Sequence, residues 1–191
     1  MRIIAGIYRG RPIKSLKGSD TRPTTDRVRE ALMSALYSAR GSFEGARVLD
    51  AFAGSGALGL ECLSRGAEFV LFCEQGREAV RIVEQNIAAL KLPREAYRVR
   101  RGDSFTLPES SVGSFDMLFF DPPYAIPAQQ VCDMISRLDK KGAVSSGALV
   151  CYEFAKKDKQ DVLHACVALE YQTVSVKDYG DTSLITLRKE A

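Results

Sequence analysis

The chain has 191 residues, 46% of them hydrophobic and 27% charged, which allows one domain with a proper core and a short extension and would leave a two-domain dehydrogenase cramped. No run of about 18 apolar residues occurs and Met1-Arg2-Ile3-Ile4-Ala5-Gly6 lacks a signal-peptide core, so a soluble, cytoplasmic protein is expected, with no membrane association. The net charge of +3 is too small to imply a nucleic acid partner, but residues 1–40 hold nine Arg or Lys against three Asp or Glu, a net of +6 that leaves −3 for the rest.

Residues 2–18 alternate Ile3, Ile4, Ile7, Ile13 and Leu16 with Arg, Lys and Gly, which predicts a short hairpin or a strand with loops turning at Gly6, Gly10 and Gly18. Arg22-Pro23-Thr24-Thr25 predicts an extended segment and a helix cap. Val28, Ala31, Leu32, Ala35 and Leu36 follow at helical spacing, so this helix buries one face, keeps Arg27, Arg29 and Glu30 near its mouth and ends at Gly41.

From residue 47 strands and helices alternate. Strands are predicted over 47–53, 68–74, 97–102, 115–121 and 148–154. Helices are predicted up to residue 65, with Leu58, Cys62 and Leu63 seated on the sheet, then over 77–91 and 128–138. A charged stretch, 156–161, precedes two β-rich runs, 169–176 and 182–188, too close together for a helical crossover and so expected as an antiparallel hairpin at one edge. Five parallel strands and a terminal hairpin make a Rossmann-like α/β fold, the seven-stranded sheet of the class I methyltransferases. Residues 1–40 read as a basic extension and helix, and 41–191 as the methyltransferase domain.

The stretch Asp50-Ala51-Phe52-Ala53-Gly54-Ser55-Gly56-Ala57-Leu58-Gly59 joins a buried strand to a helix through glycines that admit a ligand to the main chain. Its spelling also fits a dinucleotide fingerprint. Asp50 moves the reading to S-adenosylmethionine, because an acid there repels a pyrophosphate and suits an ammonium and a sulfonium. Glu74, at the second strand's end, suits both ribose hydroxyls; Asp103 suits the adenine amino group, with Ser104 nearby and Phe105 to pack on the ring. Strand-end acids also cap helices, which leaves each of the three open when taken singly.

Asp121-Pro122-Pro123-Tyr124 has no role in hydride transfer. An exocyclic nucleobase amine is a poor nucleophile until acceptors facing its N–H groups free the nitrogen lone pair. The Asp121 carboxylate and the Pro122 carbonyl are such acceptors, Pro123 stiffens the loop and Tyr124 stacks on the base. No metal and no thiol is required. Cys62, Cys73, Cys132, Cys151 and Cys166 form no CxxC pair and read as reduced core residues, and His164 as a surface or loop residue.

Four segments together, Met1-Arg2-Ile3-Ile4-Ala5-Gly6-x-Tyr8-Arg9-Gly10-Arg11, the run from Arg22 to Leu32, Asp50-x-Phe52-x-Gly54-Ser55-Gly56 and Asp121-Pro122-Pro123-Tyr124, make the chain resemble the bacterial RsmD-type enzymes over nearly its whole length. That family methylates N2 of a guanine in 16S ribosomal RNA with S-adenosylmethionine. The resemblance implies cofactor contacts at Asp50, Gly54, Gly56, Glu74 and Asp103, with Phe52 and Ser104 as further cofactor candidates beside them, and a target-amine site at Asp121 to Tyr124. It also implies RNA contacts at Arg2, Arg9, Arg11 and Arg22, the partner being ribosomal RNA or a small-subunit assembly particle; a monomer is expected. The chain departs from the family's pattern at Met33, where a phenylalanine is expected, and in the short charged segment 154–167. Methylation of adenine N6 or of a glutamine amide shares the same chemistry, and an RNA-binding protein without catalysis is the reading from another class.

Overall fold

The computed structural model describes residues 1–16, 26–107 and 113–190. Seven strands form one mixed sheet. The chain forms two compact units, Met1–Thr106 and Leu107–Ala191.

In the first unit, α1 (Asp26–Arg40) precedes β1 (Arg47–Asp50), α2 (Ala57–Ser64), β2 (Phe69–Glu74), α3 (Arg77–Leu90) and β3 (Tyr97–Arg101). The pairs β1/β2 and β2/β3 are parallel. Val48, Leu49, Val70, Leu71 and Phe72 are buried, as expected of strands covered on both faces. On α3 the apolar stripe Val80, Val83, Ile87 and Leu90 faces inward as its spacing predicts. The α2 helix is seated differently from the expectation: Leu58 is half-exposed, while Gly59, Leu60, Cys62 and Leu63 are buried. Gly59 marks the closest approach to β2, since a Cβ there would lie 2.3 Å from the Phe72 ring and 2.7 Å from Val70.

The first sixteen residues are fastened to this unit. Arg2 pairs with Pro12 in a single antiparallel bridge, and Ile3 N–H donates to the Arg11 carbonyl at 3.0 Å, which realises the expected hairpin in miniature. At its tip Gly6, with φ of +83°, lies so close to α2 that a Cβ would come within 1.8 Å of the Ser64 carbonyl oxygen. Arg29 corrects the expectation of a cation at the mouth of α1: its side chain is 0% exposed and donates to the Arg2 carbonyl and to Asp26. The expected turn at Gly18 and the cap at 22–25 lie outside the described residues.

In the second unit, β4 (Phe115–Phe120), α4 (Ala128–Lys140) and β5 (Val144–Ala155) are followed by α5 (Lys159–Val167), β6 (Gln172–Tyr179) and β7 (Thr182–Arg188). The pair β4/β5 is parallel, while β7 runs antiparallel to both β5 and β6, the expected hairpin, with β6 outermost. Its core is Met117, Leu118, Phe119, Leu149, Val150 and Ile185 under Val131, Ile135 and Val162 of the helices. The α5 helix was not expected; three buried residues, Val162, Ala165 and Cys166, hold it against the sheet behind a run of charge. All five cysteines are buried, with Cys132 and Cys166 sulfurs 3.7 Å apart between α4 and α5. Burial pushes the Cys73 and Cys151 thiols up to about 12, which keeps them protonated and inert. His164 is exposed, though on α5 rather than in a loop.

Candidate functional site

In the first unit the chain leaves β1 at Asp50 rather than at residue 53, because 51–55 fold back into a tight loop. Ala53 N–H donates to the Cys73 carbonyl at 2.9 Å and Gly56 N–H to the Ala53 carbonyl at 2.6 Å. Gly54 has φ of +53°, and a Cβ added there would meet nothing within 4 Å, so the main chain faces open space. Gly56, with φ of +79°, starts α2 in a left-handed conformation.

Two carboxylates brace this loop. Glu74 Oε2 accepts from Gly54 N–H at 2.9 Å and Oε1 from Gly76 N–H at 2.7 Å, so one side chain joins the glycine loop to the start of α3. Each oxygen keeps a second lone pair, which is what a ribose diol requires. Asp50 is 2% exposed, and its Oδ2 accepts from Gly59 N–H at 3.1 Å, near the positive end of α2. Burial pushes its pKa up to about 7, against the Gly59 hydrogen bond, which pulls it down, and with the Glu74 charge, which pushes it further up.

The end of β3 completes the group. Gly102 N–H donates to the Glu74 carbonyl at 3.0 Å, the Ser104 hydroxyl to the Ala51 carbonyl, and Phe105 N–H to Asp103 Oδ1 at 2.9 Å. Asp103 is exposed, and the rings of Phe52 and Phe105 meet edge to face at 5.8 Å. The cofactor candidates Asp50, Phe52, Gly54, Gly56, Glu74, Asp103 and Ser104 therefore form one connected network. An open glycine loop, a half-satisfied carboxylate and an exposed acid beside two rings fit an adenosyl group.

Asn86 was not singled out from the sequence. It is buried on α3, bonds the Lys14 main chain through Oδ1 at 2.8 Å and Nδ2 at 3.0 Å, and donates to the Ser55 carbonyl at 2.9 Å. One amide thus ties the N-terminal segment to the glycine loop; a polar residue in the phase of Ile82, Val83 and Ile87 is the signal that points to it. Arg2, Arg9 and Arg11 are exposed on that segment, and Arg22 lies outside the described residues.

Asp50 carries a pH prediction. Its folded pKa, about 7, lies above the ordinary 3.8, so between those values the folded state holds the extra proton and stability falls as pH rises. Asp50→Asn keeps an acceptor for Gly59 and removes the titration. Relative to wild type, the ligand-free variant should gain stability from pH 5 to pH 8, by at most roughly 1.4 kcal/mol for each pH step taken below the folded pKa. Urea unfolding at both pH values checks this, and identical pH dependence in the two proteins would refute it.

In the second unit, Asp121-Pro122-Pro123-Tyr124 follows β4 directly. Ile126 N–H closes a turn onto the Pro123 carbonyl at 2.9 Å, and Pro127 leads into α4, so three prolines and one turn fix the loop. Pro122 is buried, while Tyr124 is 48% exposed and its hydroxyl pairs with Thr182 at 2.9 Å. Thr182 starts β7, so the hairpin holds the ring from the far side of the sequence. A cavity of about 400 Å³ opens beside the loop, lined by Pro122, Tyr124, Tyr152, Phe154 and His164.

Residues 1–188 match the model of the family described as conserved hypothetical protein 95. Ribosomal RNA small subunit methyltransferase D of Haemophilus influenzae is 35% identical over 161 residues, 83% of this chain and 80% of that protein. The Escherichia coli protein of the same name is 35% identical over 153 residues, 80% of this chain and 74% of its own. Among solved structures, yhhF of Escherichia coli superposes with a TM-score of 0.81 at 28% identity, covering 100% of this chain and 98% of that one. A Thermus thermophilus protein does so with a TM-score of 0.76 at 26% identity, covering 100% and 99%. The chain belongs to the conserved hypothetical protein 95 family, the family of the ribosomal RNA small subunit methyltransferase D proteins.

Proposed function

We propose that this protein transfers a methyl group from S-adenosylmethionine to the exocyclic N2 amine of a guanine in 16S ribosomal RNA. The observation that carries the proposal is the match across residues 1–188 to a family whose members are named for methylating small-subunit ribosomal RNA. The cofactor supplies a methyl group already activated on a sulfonium, so no metal is needed. In this reading Gly54 and Gly56 keep the main chain open to the ligand, Glu74 takes the ribose hydroxyls, Asp103 and Ser104 take the adenine side with Phe52 and Phe105, and Asp50 sets the loop through Gly59.

Asp121 and the Pro122 carbonyl would accept from the two N–H bonds of the guanine amine and raise electron density on nitrogen, and the Asp121 carboxylate would take the proton that the nitrogen gives up as the methyl leaves sulfur, the S–CH3 bond breaking and the N–CH3 bond forming. Tyr124, pinned at its hydroxyl by Thr182, offers a ring face for the base. Residues 1–40, with Arg2, Arg9, Arg11 and Arg22, are assigned to the RNA. The substrate would place the protein in the cytoplasm, acting as a monomer on ribosomal RNA or an assembling small subunit.

Incubation with methyl-labelled cofactor and small-subunit RNA or particles, followed by nucleoside digestion, tests the assignment. Label in N2-methylguanosine is the expected result. Label in adenine or in protein would overturn it.

A further inference from the structure

The first unit carries a second group of cations that neither the fold nor the glycine loop uses. From Lys91 to Arg101 the sequence holds Lys91, Arg94, Arg98, Arg100 and Arg101 against one acid, Glu95. Arg100 has a structural role, since it donates to the Asp103 and Thr106 carbonyls at 2.9 and 3.0 Å and fixes the turn after β3. The side chains of Lys91, Arg94, Arg98 and Arg101 are exposed and have no hydrogen-bonding or ion-pair partner among the described residues. They surround β3, the outermost strand on its side of the sheet.

Between α3 and β3 runs a groove of about 600 Å³, lined by Lys91, Arg94, Tyr97, Arg98 and, on one wall, Glu84. This groove adjoins the N-terminal segment. The Lys14 ammonium donates to Gln85 on α3 at 2.9 Å, and its main chain is held by Asn86. From Gln85 to Lys91 is six residues, roughly 9 Å along a helix axis, the rise of about two to three phosphates on one strand of a duplex.

We infer that the RNA backbone follows a basic track from Arg9 and Arg11 over Lys14 to the β3 edge, where Lys91, Arg94 and Arg98 bind its phosphates. The inference rests on the RNA substrate proposed above and adds the surface that holds it. Four unpaired cations beside a half-buried Tyr97, at the end of the helix that also anchors the basic N-terminal segment and along the strand that follows it, fit a polyanion and oppose a basic or apolar partner. Glu84 keeps phosphates to the arginine side of the groove.

The triple variant Lys91→Gln, Arg94→Gln, Arg98→Gln alters exposed side chains only. Its binding to a small-subunit RNA fragment, measured against salt, should show a slope of log K on log salt reduced by about 2 to 3 and an affinity at about 0.1 M salt lowered tenfold or more. Its KM for RNA should rise while kcat at saturating RNA and cofactor affinity hold. The charge-preserving triple Lys91→Arg, Arg94→Lys, Arg98→Lys should keep the wild-type slope. If the wild type methylates guanine and the Gln triple keeps its slope and KM, the cations only guard an open sheet edge and the track is overturned, with the proposed function intact. If the wild type neither binds nor methylates RNA, both fail together.

Discussion

Asp121→Ala should lower methyl transfer to RNA by at least about a hundredfold while cofactor affinity stays within several-fold of wild type. The size follows from the role: removing one preorganised group that meets charge developing at the reacting atom costs about 10² to 10³ in rate. Cofactor affinity should hold because the adenosyl candidates draw their support from Glu74, Asp103 and the glycine loop, all within residues 50–105. Asp121→Asn should fall between the two, since its amide oxygen still accepts one N–H while its NH₂ opposes the incoming amine. Isothermal titration with the cofactor and single-turnover transfer to saturating RNA separate the effects. An Asp121→Ala enzyme with near-normal single-turnover rate would remove this residue from the chemistry.

The alternation of apolar runs with amphipathic helices made the sheet legible from sequence, and the short gap between the last two β-rich runs made the antiparallel hairpin legible too. Where the reading missed, tertiary contacts had overridden local pattern. The α5 helix was hidden because its apolar set is only Val162, Ala165 and Cys166, and Lys156 to Asp161 reads as solvated loop. The first strand was drawn too long because Ala51 to Ala53 are as apolar as a strand, although they turn back to bond Cys73. The glycine loop, Glu74 and Asp103 were legible because strand ends in an α/β sheet have chemical meaning.

Asp50 was legible as an acid at a strand end, but its contact was not. Sequence gives its position at a strand end, whereas only the packing shows the carboxylate buried on Gly59. Arg29 and Asn86 were misplaced or passed over for one reason. Each is a polar side chain on a buried helix face that bonds main chain from the first sixteen residues, and helical periodicity alone cannot locate that partner. The basic N-terminal segment is consequently part of the first unit's packing, so its arginines stand on a fixed base next to the glycine loop.

The residue that fixes this base is Glu61, and Glu61→Gln should destabilise the protein by about 3 to 5 kcal/mol. Its side chain is 0% exposed. Oε2 accepts from Ile4 N–H at 2.9 Å, and Oε1 accepts from Ala5 N–H at 3.0 Å and from Arg65 Nε at 3.0 Å. Arg29, also fully buried, lies with Nε 3.8 Å from Oε2, and its Nε and Nη1 have no hydrogen-bond partner among the described residues, so Glu61 is the buried charge that compensates it, with the more exposed Asp26 at 3.0 Å from Nη2 as its second counterion. A glutamine turns one acceptor oxygen into a donor facing N–H groups and leaves the Arg29 charge buried without that counterion. The urea midpoint should fall, and amide exchange at Ile4, Ala5, Ile7 and Tyr8 should lose protection before the sheet does, because those N–H groups bond Glu61 and Ser64. Glu61→Met combined with Arg29→Met removes both charges and should recover part of the loss, the remainder measuring the bonds of Glu61 to Ile4, Ala5 and Arg65 together with those of Arg29 to Arg2 and Asp26. A Glu61→Gln protein within about 1 kcal/mol of wild type, with Ile4, Ala5, Ile7 and Tyr8 still protected, would show that the N-terminal segment is held by its apolar contacts at Ile3 and Ile13 instead.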